Sequence, residues 1–168
     1  MEESAAMEKD ISEEDEKKIT IMRSLPFFNS FTDHELFIIL KTSTWLKWNT
    51  GDIVVKEGET GKSFFVILKG SICINRKIGV GTKKKAILCL TKGQCFGEVS
   101  VVTGQPRAAD AVAESETFVL KIDADDLDKV TETLEFMSIQ LKYYKIFSKI
   151  LAQRLILTDD MLIKAAMI

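Results

Sequence analysis

Glu98 and Arg107 stand nine residues apart in the stretch FGEVSVVTGQPRAAD, which runs from Phe96 to Asp110. A guanidinium stays charged at any working pH and matches a phosphate with two parallel hydrogen bonds. A carboxylate accepts from hydroxyl groups, as carboxylates often do from a ribose 2′-hydroxyl. Gly97 followed by one helical turn over residues 98–102 would expose backbone N–H groups with no side chain in the way, a concavity that favours an anion. Thr103 to Pro106 closes that turn, and Arg107 begins the next strand across from it. An anion site and a hydroxyl acceptor joined by one turn suit a compact ligand that carries both a phosphate and a sugar. The competing reading is a structural ion pair between Glu98 and Arg107 inside a barrel that binds nothing.

The elements around this stretch change period twice. Ile19, Ile21, Met22 and Leu25 suggest a short helix that stops before Pro26. Thr32 and Glu35 form a capping box that opens an apolar helix over Leu36 to Leu40. From Thr44 to Lys121, short runs rich in Val, Ile, Phe and Leu are broken by glycines, the pattern of a small all-β sandwich or barrel. The expected strands are Thr44 to Trp48, Ile53 to Lys56, Phe64 to Leu68, Ser71 to Arg76, Lys85 to Leu90, Ala108 to Ala113 and Thr117 to Ile122. Gly79 and Gly81 beside Lys83, Lys84 and Lys85 mark an exposed hairpin tip, the lysines reading as a solvated edge guard or as a partner-docking patch.

After Asp123 the pattern turns helical. Asp123 caps an expected helix from Ala124 to about Thr131, and a longer one opens at Glu132 or Thr133. Lys142, Lys145, Lys149 and Gln153 form one polar stripe on that long helix, and almost everything else on it is apolar. An ordinary stripe suffices to pack on a barrel. The surplus predicts a homodimer through this helix, against the alternative of burial within one chain.

Composition bounds what remains. The 168 residues, 46% hydrophobic, suffice for one domain with a full core and a short appendage. Residues 1–18 hold eight acidic and three basic side chains, net −5, and the chain as a whole is at −2, so the remainder is at +3. That is too little for a nucleic-acid surface. Residues 1–18 read as an acidic, mobile segment and 19–168 as a single domain. Cys73, Cys89 and Cys95 lack CxxC spacing and read as small buried thiols of a reducing compartment, without disulfide or metal roles. No signal peptide and no membrane span is evident, so the chain reads as soluble and cytoplasmic. A single histidine, His34, cannot supply a metal set or a catalytic base, and there is no P-loop and no HExxH. No enzyme, cofactor or metal is expected.

A cyclic nucleotide combines phosphate and sugar as the opening stretch requires. "FGE" and "GQPRAA" at this separation resemble the phosphate-binding cassette of the cyclic-nucleotide-binding domain family, of the catabolite activator and protein kinase A regulatory subunit type. Gly51-Asp52 and the run from Glu57 to Phe65 resemble that family's glycine-punctuated turn, and the likeness covers roughly residues 20 to 160. The resemblance implies an α+β, mainly β fold: a small jelly-roll β-barrel flanked by short N-terminal helices and two C-terminal helices, the last long, over about 133–165. It implies that Glu98 and the Gly97 amide hold the ribose 2′-hydroxyl, and that Arg107 and the amides near Ser100 and Ala108 hold the cyclic phosphate. Val99 and Ala109 complete the cassette. Ala108 stands where a Thr or Ser would bond the guanine amino group, which leans the ligand towards cyclic AMP over cyclic GMP. "LAQRLILTDD" resembles the dimer helix of the activator, so that Thr158 and Asp159 are candidate adenine contacts, from either subunit. Asp110 departs from the family's usual Thr, and strand alternation places it on the face opposite Arg107 and Ala109. The function implied is a sensor that relays ligand binding by movement of its C-terminal helices to an unidentified effector protein. The alternative is a ligand-free dimerisation module with a degenerate cassette.

Overall fold

A computed structural model of the chain describes residues 12–79, 81, 83–125 and 133–167. The chain enters through helix α1 (Glu13–Arg23), a 3-10 turn (Pro26–Phe28) and helix α2 (Asp33–Thr42). Both helices begin in reciprocal capping boxes, Ser12 with Asp15 and Thr32 with Glu35, which satisfy first-turn N–H groups that have no intrahelical partner. Residues 13–18 of the acidic segment therefore belong to α1.

Eight strands follow: β1 (Ser43–Trp48), β2 (Ile53–Val55), β3 (Ser63–Lys69), β4 (Ser71–Lys77), β5 (Lys84–Thr91), β6 (Cys95–Phe96), β7 (Asp110–Ala113) and β8 (Thr117–Asp123). They form two antiparallel sheets, ordered β1-β8-β3-β6 and β2-β7-β4-β5, a jelly-roll-like sandwich. All seven expected strands form, with ends shifted by a residue or two. The eighth, β6, is a two-residue pairing of Cys95 and Phe96 with β3. A helical turn, α3 (Glu98–Thr103), and a 33-residue helix, α4 (Leu134–Ala166), complete the fold. The helix expected between Ala124 and about Thr131 lies, from residue 126 onward, outside the described residues.

β3 has no wet face. Phe64, Val66 and Leu68 turn towards the helices, where Met22, Leu25, Phe28, Leu36, Ile39, Tyr143 and Phe147 are buried with them. Phe65 and Ile67 turn into the sandwich with Ile72, Leu90, Phe96, Ala113 and Val119. This continuous apolar run is what a strand covered on both sides requires. On α4, Ile139, Tyr143 and Phe147 recur at four-residue spacing and close the helical layer. Ile146 and Ile150 are half-buried against that layer, and Leu155, Ile156, Leu157, Met161, Leu162 and Ile163 are exposed.

Three expectations are corrected. Cys73 and Cys89 are joined by a disulfide, because antiparallel pairing of β4 with β5 sets them directly opposite each other; Cys95 alone is a buried free thiol. The thiol argument for a reducing compartment therefore falls away. Lys84 is not a solvated member of its triplet, since it pairs with the buried Asp110 carboxylate. Lys142 likewise leaves the polar stripe to bind the buried Glu35 carboxylate, at 2.8 Å to Oε1 and 2.6 Å to Oε2, which ties α4 to α2. No helix among the described residues is long and apolar enough to cross a membrane.

Candidate functional site

Gly97 sets the local geometry. Its φ of +86° is the left-handed conformation that glycine adopts freely, and it ends β6 and starts α3 in a single residue. A Cβ here would lie 2.9 Å from Arg107 Nη1 and 2.9 Å from the Ser63 carbonyl oxygen, so any other residue would dislodge the arginine. Gly61 is similarly placed, a Cβ there falling 3.2 Å from Arg107 Nη2. The arginine is thus wedged between two glycines.

Its main chain is fixed as well. The Arg107 N–H donates to Glu59 O, and the Gly58 N–H donates to Arg107 O, both at 2.8 Å. Arg107 is 7% exposed, and its guanidinium donates from Nη1 to Gly97 O and from Nη2 to Ser63 Oγ, each at 3.0 Å. It lies 5.9 Å from the centroid of Phe65, itself stacked on Phe96. Of the five N–H groups a guanidinium carries, these two bonds leave three without a hydrogen-bond partner among the described residues. The fork is therefore buried, rigid and incompletely satisfied.

Glu98 does not pair with Arg107. Its carboxylate, 0% exposed, is held by Nη1 of Arg154 from α4, while Arg154 Nη2 donates to Cys95 O at 2.7 Å. Burial pushes the Glu98 carboxyl above its ordinary value, and the Arg154 charge draws it part of the way back. For Arg107 burial acts in the opposite sense and lowers the value, opposed by the charges of Asp123, Glu59 and Glu98. Two buried ionisable groups held apart by separate partners leave an unfilled polar corner between them.

That corner is one end of a cavity of about 200 Å³. Gly97, Glu98, Val99, Ser100, Arg107, Ala108, Ala109 and Arg154 line its polar end; Val55, Ile74, Ile87, Leu88, Phe96 and Ala111 line its apolar wall. Seven of the nine residues expected from the sequence thus share one cavity. Thr158 and Asp159 do not line it: both are exposed on α4 beyond Arg154, and Thr158 Oγ1 donates to Arg154 O at 2.9 Å. Asp110 also lies outside it, accepting the Glu57 N–H at 2.8 Å and binding Lys84; β7 begins only at Asp110, so the expected strand alternation with Arg107 and Ala109 does not apply. Arg154, Ser63 and Arg76, the last at the β4 edge of the cavity, were not singled out in the sequence. For Arg154 a signal existed, a lone cation between the apolar residues of "LAQRLIL", one helical turn before Thr158.

A cavity lined by the Arg107 and Arg154 guanidinium groups, the buried Glu98 carboxylate and the first turn of α3, and continued by apolar side chains, has the chemistry to hold a ligand with an anionic group, a hydroxyl and a flat apolar part. The family model for the cyclic nucleotide-binding domain matches residues 45–133. A human cGMP-dependent protein kinase 2 is 26% identical over 131 residues, 77% of this chain and 17% of the kinase. A cAMP-dependent protein kinase regulatory subunit from Colletotrichum orbiculare is 25% identical over 122 residues, 73% of this chain and 30% of that protein. The chain thus spans less than a third of the length of these curated relatives. The Thermus thermophilus catabolite activator protein superposes with a TM-score of 0.67 at 23% identity, covering 82% of this chain and 61% of the activator. A triple mutant of the regulatory subunit of a cAMP-independent protein kinase A from Trypanosoma brucei, bound to cAMP in the A site, gives a TM-score of 0.60 at 21% identity, over 76% and 51% of the two chains.

Proposed function

The chain belongs to the cyclic nucleotide-binding domain family, and from that premise we propose that it is a cytoplasmic sensor module that binds cyclic AMP in the 97–109 cassette and relays binding through α4. The observation that carries the proposal is the buried, incompletely satisfied fork of Arg107 facing the cavity. In this reading the cyclic phosphate takes the three spare guanidinium donors and the first-turn amides near Ser100 and Ala108. The ribose 2′-hydroxyl donates to Glu98 beside the Gly97 amide, and the purine lies along Ile74, Ile87 and Leu88.

Relay follows from the shared carboxylate. A ribose hydroxyl that engages Glu98 meets Arg154, the residue by which α4 holds the same group. Ligand contacts that differ between two placements of α4 bias which placement is populated. A shift of α4, or a second copy of the chain, would bring Thr158 and Asp159 to the adenine edge. Cyclic AMP is preferred because Ala108 offers no hydroxyl to the guanine amino group; the names of the relatives point to both nucleotides. The second copy would cover the exposed apolar face of α4, and an effector protein would read its position.

Calorimetric titration with cyclic AMP, cyclic GMP and linear AMP tests this. Wild type should bind cyclic AMP most tightly, and Arg107→Ala should weaken binding about ten- to hundredfold by removing charged hydrogen bonds. Equal binding by wild type and Arg107→Ala would overturn the role of the arginine, and preference for neither cyclic compound would leave a dimerisation module.

A further inference from the structure

The disulfide stands directly behind the apolar wall of the cavity. In the β4–β5 register Cys73 faces Cys89, and the next pair along is Ile74 with Leu88, both of which line the cavity. The pair on the other side, Ile72 with Leu90, is buried in the sandwich core. By alternation the two cysteines therefore lie on the outer face of the sheet whose inner face is the wall. β5 is an edge strand, with β4 its only hydrogen-bonded neighbour in the sheet order β2-β7-β4-β5. Beyond that ladder, β5 is held by Lys84 on Asp110, by its inward leucines and by the Cys73–Cys89 bond. Cys89 is an exposed residue and Cys73 a buried one, so Cys89 is the side of the bond that faces solvent.

We propose that Cys73 and Cys89 form a thiol–disulfide exchange site, served by dithiol reductants, that sets how firmly β5 closes the wall of the cavity. The reductant's thiolate attacks Cys89 Sγ, the bond to Cys73 breaks, and Cys73 leaves as a thiolate and takes up a proton. The reductant's second thiol then attacks its own sulfur in the mixed disulfide and releases the Cys89 thiol. Two electrons enter the protein and the reductant departs as a disulfide. Once reduced, the edge strand keeps its ladder to β4 but loses its covalent tie, and Ile87 and Leu88 must be ordered by the ligand rather than beforehand. Ordering such side chains on binding lowers affinity. The effect on affinity rests on the cyclic-nucleotide reading; the exchange chemistry and the loosening of β5 do not.

The test compares oxidised protein with protein treated with dithiothreitol, by mass spectrometry after alkylation, by amide deuterium uptake over residues 84–91 and by cyclic AMP calorimetry. Reduction should add two alkylatable thiols, speed uptake across β5 severalfold and weaken cyclic AMP about tenfold. Cys89→Ser, a change at an exposed position, should show the reduced behaviour with or without dithiothreitol. Unchanged uptake in β5 on reduction, or a Cys89→Ser protein that still responds to dithiothreitol, overturns the proposal. If neither form binds a cyclic nucleotide, the ligand reading fails, and the uptake comparison still decides the exchange site.

Discussion

Arg154 gives the buried Glu98 carboxylate a counter-charge from a helix that the cassette does not contain. Burial raises the Glu98 carboxyl, so its ionisation costs the fold stability: its contribution is most favourable below the ordinary carboxylate range and is lost as pH rises through the raised value. Arg154→Ala removes the compensating charge and should destabilise the protein by about 1–3 kcal/mol near neutral pH, as expected for a buried polar group left without a partner. Near pH ~4 the protonated carboxyl needs no counter-charge and the deficit should shrink to what the lost Cys95 O hydrogen bond and packing contribute. Urea unfolding of wild type and variant across this range measures it, and a deficit independent of pH would mean that Arg154 acts by packing alone. Glu98 and Arg107 were legible in the sequence because their chemistry is written in one contiguous stretch with a glycine at the bend. Arg154 is 56 positions from Glu98, and the Cys73–Cys89 bond depends on which residues of two strands lie opposite; neither relation is local, so neither could be read from spacing.

At the scale of elements, α4 is fastened in stages. Glu35 receives Ser138 Oγ and Lys142 Nζ, both at 2.8 Å to Oε1, at its start, and Tyr143 and Phe147 enter the helical core next. Arg154 holds Glu98 about two turns further on. Tyr143 contributes ring area against Phe64 and Phe31, but its hydroxyl is buried without a hydrogen-bond partner. Burial likewise pushes the Tyr143 hydroxyl far above its ordinary value. Removing that hydroxyl keeps the ring and relieves its desolvation. Tyr143→Phe should therefore stabilise the protein by about 1 kcal/mol, read as a rise in Tm by calorimetry; a loss of stability would show that the hydroxyl has a partner in solution. The strands themselves were legible, because alternating and continuous apolar runs between glycines mark both their positions and their burial. The two-residue β6 was not, since pairing of Cys95 and Phe96 with β3 leaves no periodic trace.

At the scale of the whole molecule, the later part of α4 carries the half-buried Leu151 and the exposed Leu155, Thr158, Leu162 and Ala165 at alternating spacings of four and three, the repeat of a coiled-coil seam. Leu155 and Leu162 are each more than half exposed. The proposed second copy would bury this seam against its own, and Leu155→Glu combined with Leu162→Glu should then convert a dimer into a monomer in analytical ultracentrifugation. Wild type that sediments as a monomer at tens of micromolar would remove the dimer from the mechanism.

β3 gives the molecule its least forgiving segment. Ser63 to Leu68 is buried at every position, one set of side chains packing against the helices and the other into the sandwich, with Ser63 itself on the arginine fork. A strand with one wet face tolerates drift at every second residue. This one offers no neutral positions, so sequence change there registers at once as lost packing or a misplaced charge, and any lineage that preserves the activity is held to these six residues as a block rather than as an alternating pattern.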